Sequence, residues 1–261
     1  MSTKTIAFVH GNFVSKRCWD PFVQRFEARG YKCVPIAYPL RDDTVESLRG
    51  KHPDPALARL TLPEVIDHHV RTIQSLDEKP IIMGHSFGGL LTQLLMQRDV
   101  GAAGVAIDSV PPQGVLGTQW SFVRSVFPAI NPIKRHQPYL MPFEHFQYTF
   151  VNNMPPAAQR EAYDRHVVPE SRMLASGGLS SAAHVDFARK RAPLLLIAGS
   201  ADHIMPAALN RTNYKRYKGS AGVTDFKEFP GHSHYSIIAG PGFEEVADYA
   251  LAWAERAVAK G

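Results

Sequence analysis

Short apolar runs alternate with longer stretches of helical periodicity at both ends of the chain. Residues 5–9, 32–38, 80–83, 104–108, 193–198 and 224–229 are too short for helices and read as strands. Most are continuously apolar, the mark of strands covered on both faces in a parallel sheet. Between them lie amphipathic segments. Residues 19–29 put Trp19, Phe22, Val23 and Phe26 on one face and stop at Gly30. Residues 62–76, with Pro63 in the first turn, form a second helix, and residues 206–217 a third. Residues 243–258 bury a stripe of Phe243, Val246, Ala247, Ala250, Leu251 and Trp253. The prediction is an α/β fold: a mainly parallel sheet of about six strands flanked by helices.

This alternation breaks at Pro111-Pro112 and resumes near residue 191. The intervening stretch is rich in proline and aromatic residues and reads as short helices and turns. We expect residues 1–110 and 191–261 to form a core and residues 111–190 a helical cap inserted into it. Most cap aromatics pack the cap onto the core. Some should line a pocket, and Phe13, Trp120, Phe143 and Phe146 are the candidates.

Composition narrows the classes. A net charge of +5 is spread in brief runs such as Arg189-Lys190-Arg191, without the concentrated patch that nucleic acid requires. No apolar run is long enough to span a membrane, and no membrane partner is expected. The start leads straight into a strand rather than a signal peptide. Cys18 and Cys33 are too few for a disulfide framework, so free thiols in a reducing cytoplasm are expected.

The chemistry centres on Gly84-His85-Ser86-Phe87-Gly88, between an apolar run and a helical one. Strand, sharp turn and helix with serine at the tip expose its hydroxyl. Glycines two residues either side let the crossing chains approach. The Phe87 amide then faces the space where a substrate oxyanion would form. After the first strand, His10-Gly11-Asn12 turns the chain so that the Asn12 amide can supply a second donor; His10 itself reads as structural. Downstream, Gly199-Ser200-Ala201-Asp202 follows a strand, and Pro230-Gly231-His232-Ser233-His234 follows the last one. An aspartate there could orient a histidine, and the histidine could take the serine proton. Asp108, ending its own strand, is an alternative acid. Proximity alone does not choose between His232 and His234. His68 and His69, adjacent on a helix, point apart and cannot chelate one ion. His232-Ser233-His234 has no third metal ligand in view. No metal or cofactor is expected.

With these motifs the chain resembles the α/β-hydrolase superfamily, in particular its small bacterial esterases and non-haem chloroperoxidase-like members with a helical cap. The resemblance spans nearly the whole chain and is weakest in the cap. It implies a catalytic loop Pro-Gly-x-x-His, which selects His234, and an acid loop matched by Gly199, Asp202 and Pro206. It also implies a nucleophile–acid–histidine order of Ser86, Asp202 and His234, with Asn12 and Phe87 as oxyanion donors. A serine nucleophile sets it apart from haloalkane dehalogenases and epoxide hydrolases, which use aspartate.

The expected activity is hydrolysis of a small carboxylic ester, thioester or lactone bearing an apolar or aromatic group, through an acyl-serine. Two other readings share the fold. A lyase resembling hydroxynitrile lyases would use the triad as a general base, with the Asn12 side chain on a substrate oxygen. A ligand receptor would keep a slow triad.

Overall fold

The computed structural model describes residues 3–117 and 119–260. A six-stranded, all-parallel sheet forms the centre, in the order β2-β1-β3-β4-β7-β8. Its strands are β1 (Thr5–Val9), β2 (Lys32–Ile36), β3 (Ile81–His85), β4 (Ala103–Ile107), β7 (Leu194–Gly199) and β8 (Thr224–Phe229). β1, β3, β4 and β7 are buried throughout, as continuous apolar runs require.

Alternate residues feed two cores. Ile6 and Phe8 pack with Trp19, Phe22 and Phe26 beside α1 (Asp20–Glu27), and with Val246 and Ala250 of the closing helix α11 (Phe243–Lys260). Ala7 and Val9 point the other way. They meet Val65 and Ile66 of α3 (Leu62–Gln74) and Leu90 and Leu94 of α4 (Phe87–Met96). The helix expected over 19–29 is found as α1, with Pro21 in its first turn, and Trp19 ends a 3-10 turn, Lys16–Trp19, that precedes it. The 39–60 excursion contains the short α2 (Val45–Gly50), capped by the Thr44 hydroxyl.

The chain leaves β1 for the edge strand β2 and returns on the other side of β1 as β3. The crevice beyond the carboxyl ends of β1 and β3 is therefore a topological switch point, where such sheets hold ligands.

Between β4 and β7 run α5 (Trp120–Val126), α6 (Phe143–Thr149), α7 (Pro156–His166) and α8 (Arg172–Gly177). A two-stranded antiparallel ladder, β5 (Pro138–Tyr139) with β6 (Glu170–Ser171), joins them. The sequence did not signal this ladder, since two residues cannot show alternation. The segment is tied to the loop after β1 by backbone bonds Val168 N–H to Phe13 O (2.8 Å) and Ser15 N–H to His166 O (2.9 Å). Beside them Arg41 pairs with Glu170, both side chains at 0% exposure, and Arg41 also donates to the Val14 carbonyl (2.9 Å). α9 (Ala207–Arg216) connects β7 to β8, and α10 (Ser236–Ala239) lies between β8 and the last helix. Among the described residues no helix is long and apolar enough to cross a membrane.

Candidate active site

Ser86 sits at the carboxyl end of β3, before the first residue of α4, with φ 60° and ψ −120°. That conformation is strained for a residue with a side chain, and close packing enforces it. A Cβ on Gly84 would lie 2.0 Å from the Gly88 carbonyl oxygen, and one on Gly88 would lie 2.1 Å from the Val9 oxygen. Neither position admits a side chain, so strand, turn and helix interlock around the serine. Gly11 brings the loop after β1 against it: a Cβ there would meet Ser86 Cβ at 2.7 Å and Oγ at 3.3 Å.

His10 holds that loop. Its Nδ1 lies 2.8 Å from the Gly11 carbonyl and its Nε2 lies 3.2 Å from the Tyr38 amide. A carbonyl only accepts and an amide only donates, so His10 is neutral with its proton on Nδ1. Burial holds its pKa well below 6.5, reinforced by the Arg41 charge. Tyr38 closes the arrangement by donating its hydroxyl to the His10 carbonyl at 2.6 Å. Asn12 is buried, and its Oδ1 has no hydrogen-bond partner among the described residues. The Phe87 amide, in the first turn of α4, has no acceptor within the helix.

Asp202 and His234 meet from the loops after β7 and β8. Asp202 Oδ2 lies 2.6 Å from His234 Nδ1, both side chains at 0% exposure. Asp202 Oδ1 accepts the amides of Ile204 and Met205, each at 2.8 Å. The carboxylate is thus anchored on one oxygen and presents the other to the imidazole. This fixes the proton on Nδ1 and leaves Nε2, which is buried without a partner among the described residues. His232 turns away, its ring 6.3 Å from that of Phe229, while its carbonyl accepts the Ala201 amide.

Asp108, considered as an alternative acid, follows β4 at φ 43° and is wholly buried. Its Oδ1 accepts the Gly199 amide at 2.7 Å, and Oδ2 has no partner among the described residues. Burial, and then the Asp202 carboxylate beside it, holds its carboxyl well above 3.8. His85, Asp108 and His234 each bring a ligand-type atom within 4.8 Å of the others. His85 and His234 face each other with ring centroids 4.4 Å apart. A divalent ion there would compete with Asp202 for the His234 imidazole.

Above Ser86 lies a cavity whose polar side chains, among the described residues, are those of Asn12 and Ser86. Phe13, Phe87, Phe122, Val126, Phe150, Ile204 and Met205 contribute to its apolar wall. Of the expected pocket aromatics, Phe13 lines it and three do not. Trp120 is 75% exposed, because α5 turns Phe122 and Val126 inward instead. Phe143 packs edge-on against Tyr163 with the Arg160 guanidinium over its ring. Phe146 stacks behind Phe150, which occupies the wall one helical turn later. Ile204 and Met205 were legible in principle, since they follow Asp202 in the acid loop. Phe122 and Phe150 were not, because helical spacing offered other aromatics equally.

A family model described as "Alpha/beta hydrolase family" matches residues 6–248. No curated protein is matched by sequence at a significant level. Among solved structures, the chain is similar to an extracellular α/β-hydrolase from a Paenibacillus species, described as sharing structural and functional homology with tobacco salicylic acid binding protein 2. The identity is 20%, coverage is 96% of this chain and 98% of that one, and the TM-score is 0.67. It is similar to a monoacylglycerol lipase from Paleococcus ferrophilus (19%, coverage 100% and 96%, TM-score 0.67). It is also similar to a pyrethroid hydrolase from Sphingobium faniae JZ-2 (20%, coverage 97% and 100%, TM-score 0.65). With the parallel sheet, the strained serine turn and a family match over nearly its whole length, the chain belongs to the α/β hydrolase family.

Proposed function

We propose that the protein is a serine hydrolase of small neutral carboxylic esters, thioesters or lactones with an apolar or aromatic group, and that residues 111–190 cap its site. The observation that carries this reading is the buried Asp202–His234 pair, whose Nδ1 is engaged and whose Nε2 lone pair is unused. Ser86 Oγ attacks the substrate carbonyl carbon while His234 Nε2 takes its proton. The carbonyl π electrons move to oxygen, and the Asn12 and Phe87 amides stabilise that oxyanion. Collapse breaks the bond to the leaving alcohol or thiol, which takes the proton from His234 and departs. Water, deprotonated by the same imidazole, attacks the acyl-serine and releases the acid. Asp202 keeps the histidine in the correct tautomer throughout.

The cavity wall supports the substrate class. Among the described residues no charged side chain lines it, so a charged substituent would lose its hydration without a partner. The similar structures of a monoacylglycerol lipase and a pyrethroid hydrolase agree with an apolar ester.

The test is turnover of p-nitrophenyl esters of increasing chain length by wild type, Ser86→Ala, His234→Ala and His232→Ala. The first two variants should lose at least about 10³-fold in kcat, and His232→Ala should keep most of it. Equal loss in His232→Ala would move the base to that residue. Ser86 labelling by a fluorophosphonate without ester turnover would favour the lyase or receptor readings.

A further inference from the structure

The cavity uses only one face of α5. Phe122 and Val126 line it, whereas Trp120, Val123 and Phe127, at i, i+3 and i+7, form a stripe on the opposite face. They are 75%, 43% and 60% exposed. Ile133, in the 3-10 turn that follows, is 92% exposed. A helix apolar on both faces is costly in water unless its outer face meets something. Leu179 lines the cavity and is 66% exposed, so the apolar wall also reaches the surface.

Charge indicates what this face meets. Between Asp108 and Glu144 the chain has no carboxylate side chain but carries Arg124, Lys134 and Arg135, all exposed. Lys134 and Arg135 directly follow Ile133. A second copy docked through the same face would bring these cations together with no acid from the segment to neutralise them. An anionic lipid surface supplies both complements: acyl chains for the stripe and headgroup charge for the cations.

We propose that the outer face of α5 and the following turn dock the protein on anionic lipid surfaces, with Trp120, Val123, Phe127 and Ile133 at the acyl boundary and Lys134 and Arg135 on the headgroups. This departs from the expectation of no membrane partner, because the sequence could not show which face of α5 remains uncovered. Docking is peripheral and requires no span. It is independent of the esterase reading, since it is measured as binding.

Trp120 reports on this contact. The other tryptophans, Trp19 and Trp253, are 0% and 6% exposed, so a change at a surface is read at Trp120. The full chain is mixed with phosphatidylcholine vesicles, with and without phosphatidylserine, and followed by tryptophan emission and co-sedimentation. The expected result is blue-shifted emission and sedimentation with the phosphatidylserine vesicles, weakened by salt. Lys134→Glu with Arg135→Glu should weaken binding at least roughly 30-fold. Val123→Ser with Phe127→Ser should abolish the blue shift. None of these residues lines the cavity, so unchanged ester turnover and melting temperature control for folding. Failure to bind either vesicle, or equal binding to both, overturns the proposal. Concentration-dependent self-association without lipid, lost in the Val123→Ser, Phe127→Ser variant, assigns the face to a second copy instead.

Discussion

His85 Nε2 lies 2.6 Å from the carbonyl oxygen of His234, linking the end of β3 to the loop after β8. The carbonyl can only accept, so Nε2 carries the proton and His85 is neutral; burial holds its pKa well below 6.5. The residue before Ser86 therefore holds the backbone of the proposed base. His85→Ala should lower kcat on a p-nitrophenyl ester about 10- to 100-fold with little change in KM, because a small misplacement of the imidazole impairs proton transfer more than binding. Unchanged kcat would show that the link does not position His234.

Asp202 and Asp108 lie close together but make different contacts. Asp202→Asn should lower kcat about 10⁴-fold by removing the acceptor that sets the His234 tautomer. Asp108→Asn retains an oxygen for the Gly199 amide and should keep most activity. It should also change the pH dependence of stability. The folded Asp108 holds a proton that the unfolded chain releases near 3.8, so wild type loses stability as pH rises above that value. Urea unfolding at about pH 5 and about pH 8 should favour Asn more at the higher pH. A pH-independent difference would count against the raised carboxyl.

Buried neutral histidines should make the fold acid-labile before its carboxylates titrate. Burial lowers His69 and His166 from 6.5 to about 4, and holds His10 and His85 well below 6.5. The unfolded chain binds protons that these native groups refuse, so stability is lost as pH falls from 6.5 toward 4. For the fully buried His69 alone the full effect is on the order of 3 kcal/mol. Its Nδ1–H donates to the Val65 carbonyl at 2.8 Å, a bond an asparagine amide could replace. The melting temperature of wild type should fall steeply across this window and that of His69→Asn less so. Parallel curves would remove His69 from the account.

The Arg41–Glu170 pair joins the loop after β2 to β6 with neither side chain exposed. Arg41→Met or Glu170→Met alone should destabilise by about 3–5 kcal/mol, because each leaves an uncompensated buried charge. The double variant should recover most of that loss, and urea unfolding of the three proteins measures it. If the double loses as much as the singles combined, the two side chains are not energetically coupled and the account of the pair fails.

The core and its elements were legible in the sequence for a local reason. Apolar runs such as Ile81–His85 can be covered on both sides only inside a parallel sheet, and Gly84 and Gly88 around Ser86 specify a turn no larger residue allows. Asp202 and His234 were legible as candidates because each follows a strand whose end faces the same crevice. Tertiary structure decided the rest. His232 and His234 are two residues apart, and only the path of the loop after β8 brings one of them to Asp202. The pocket wall depended on which face of α5 turned inward. Trp120 and Phe122 are equally hydrophobic, and local periodicity does not distinguish the side facing the core from the side facing water. That choice is made by contacts distant in sequence, where Phe122 and Val126 share the cavity wall with Phe13, Phe87, Ile204 and Met205.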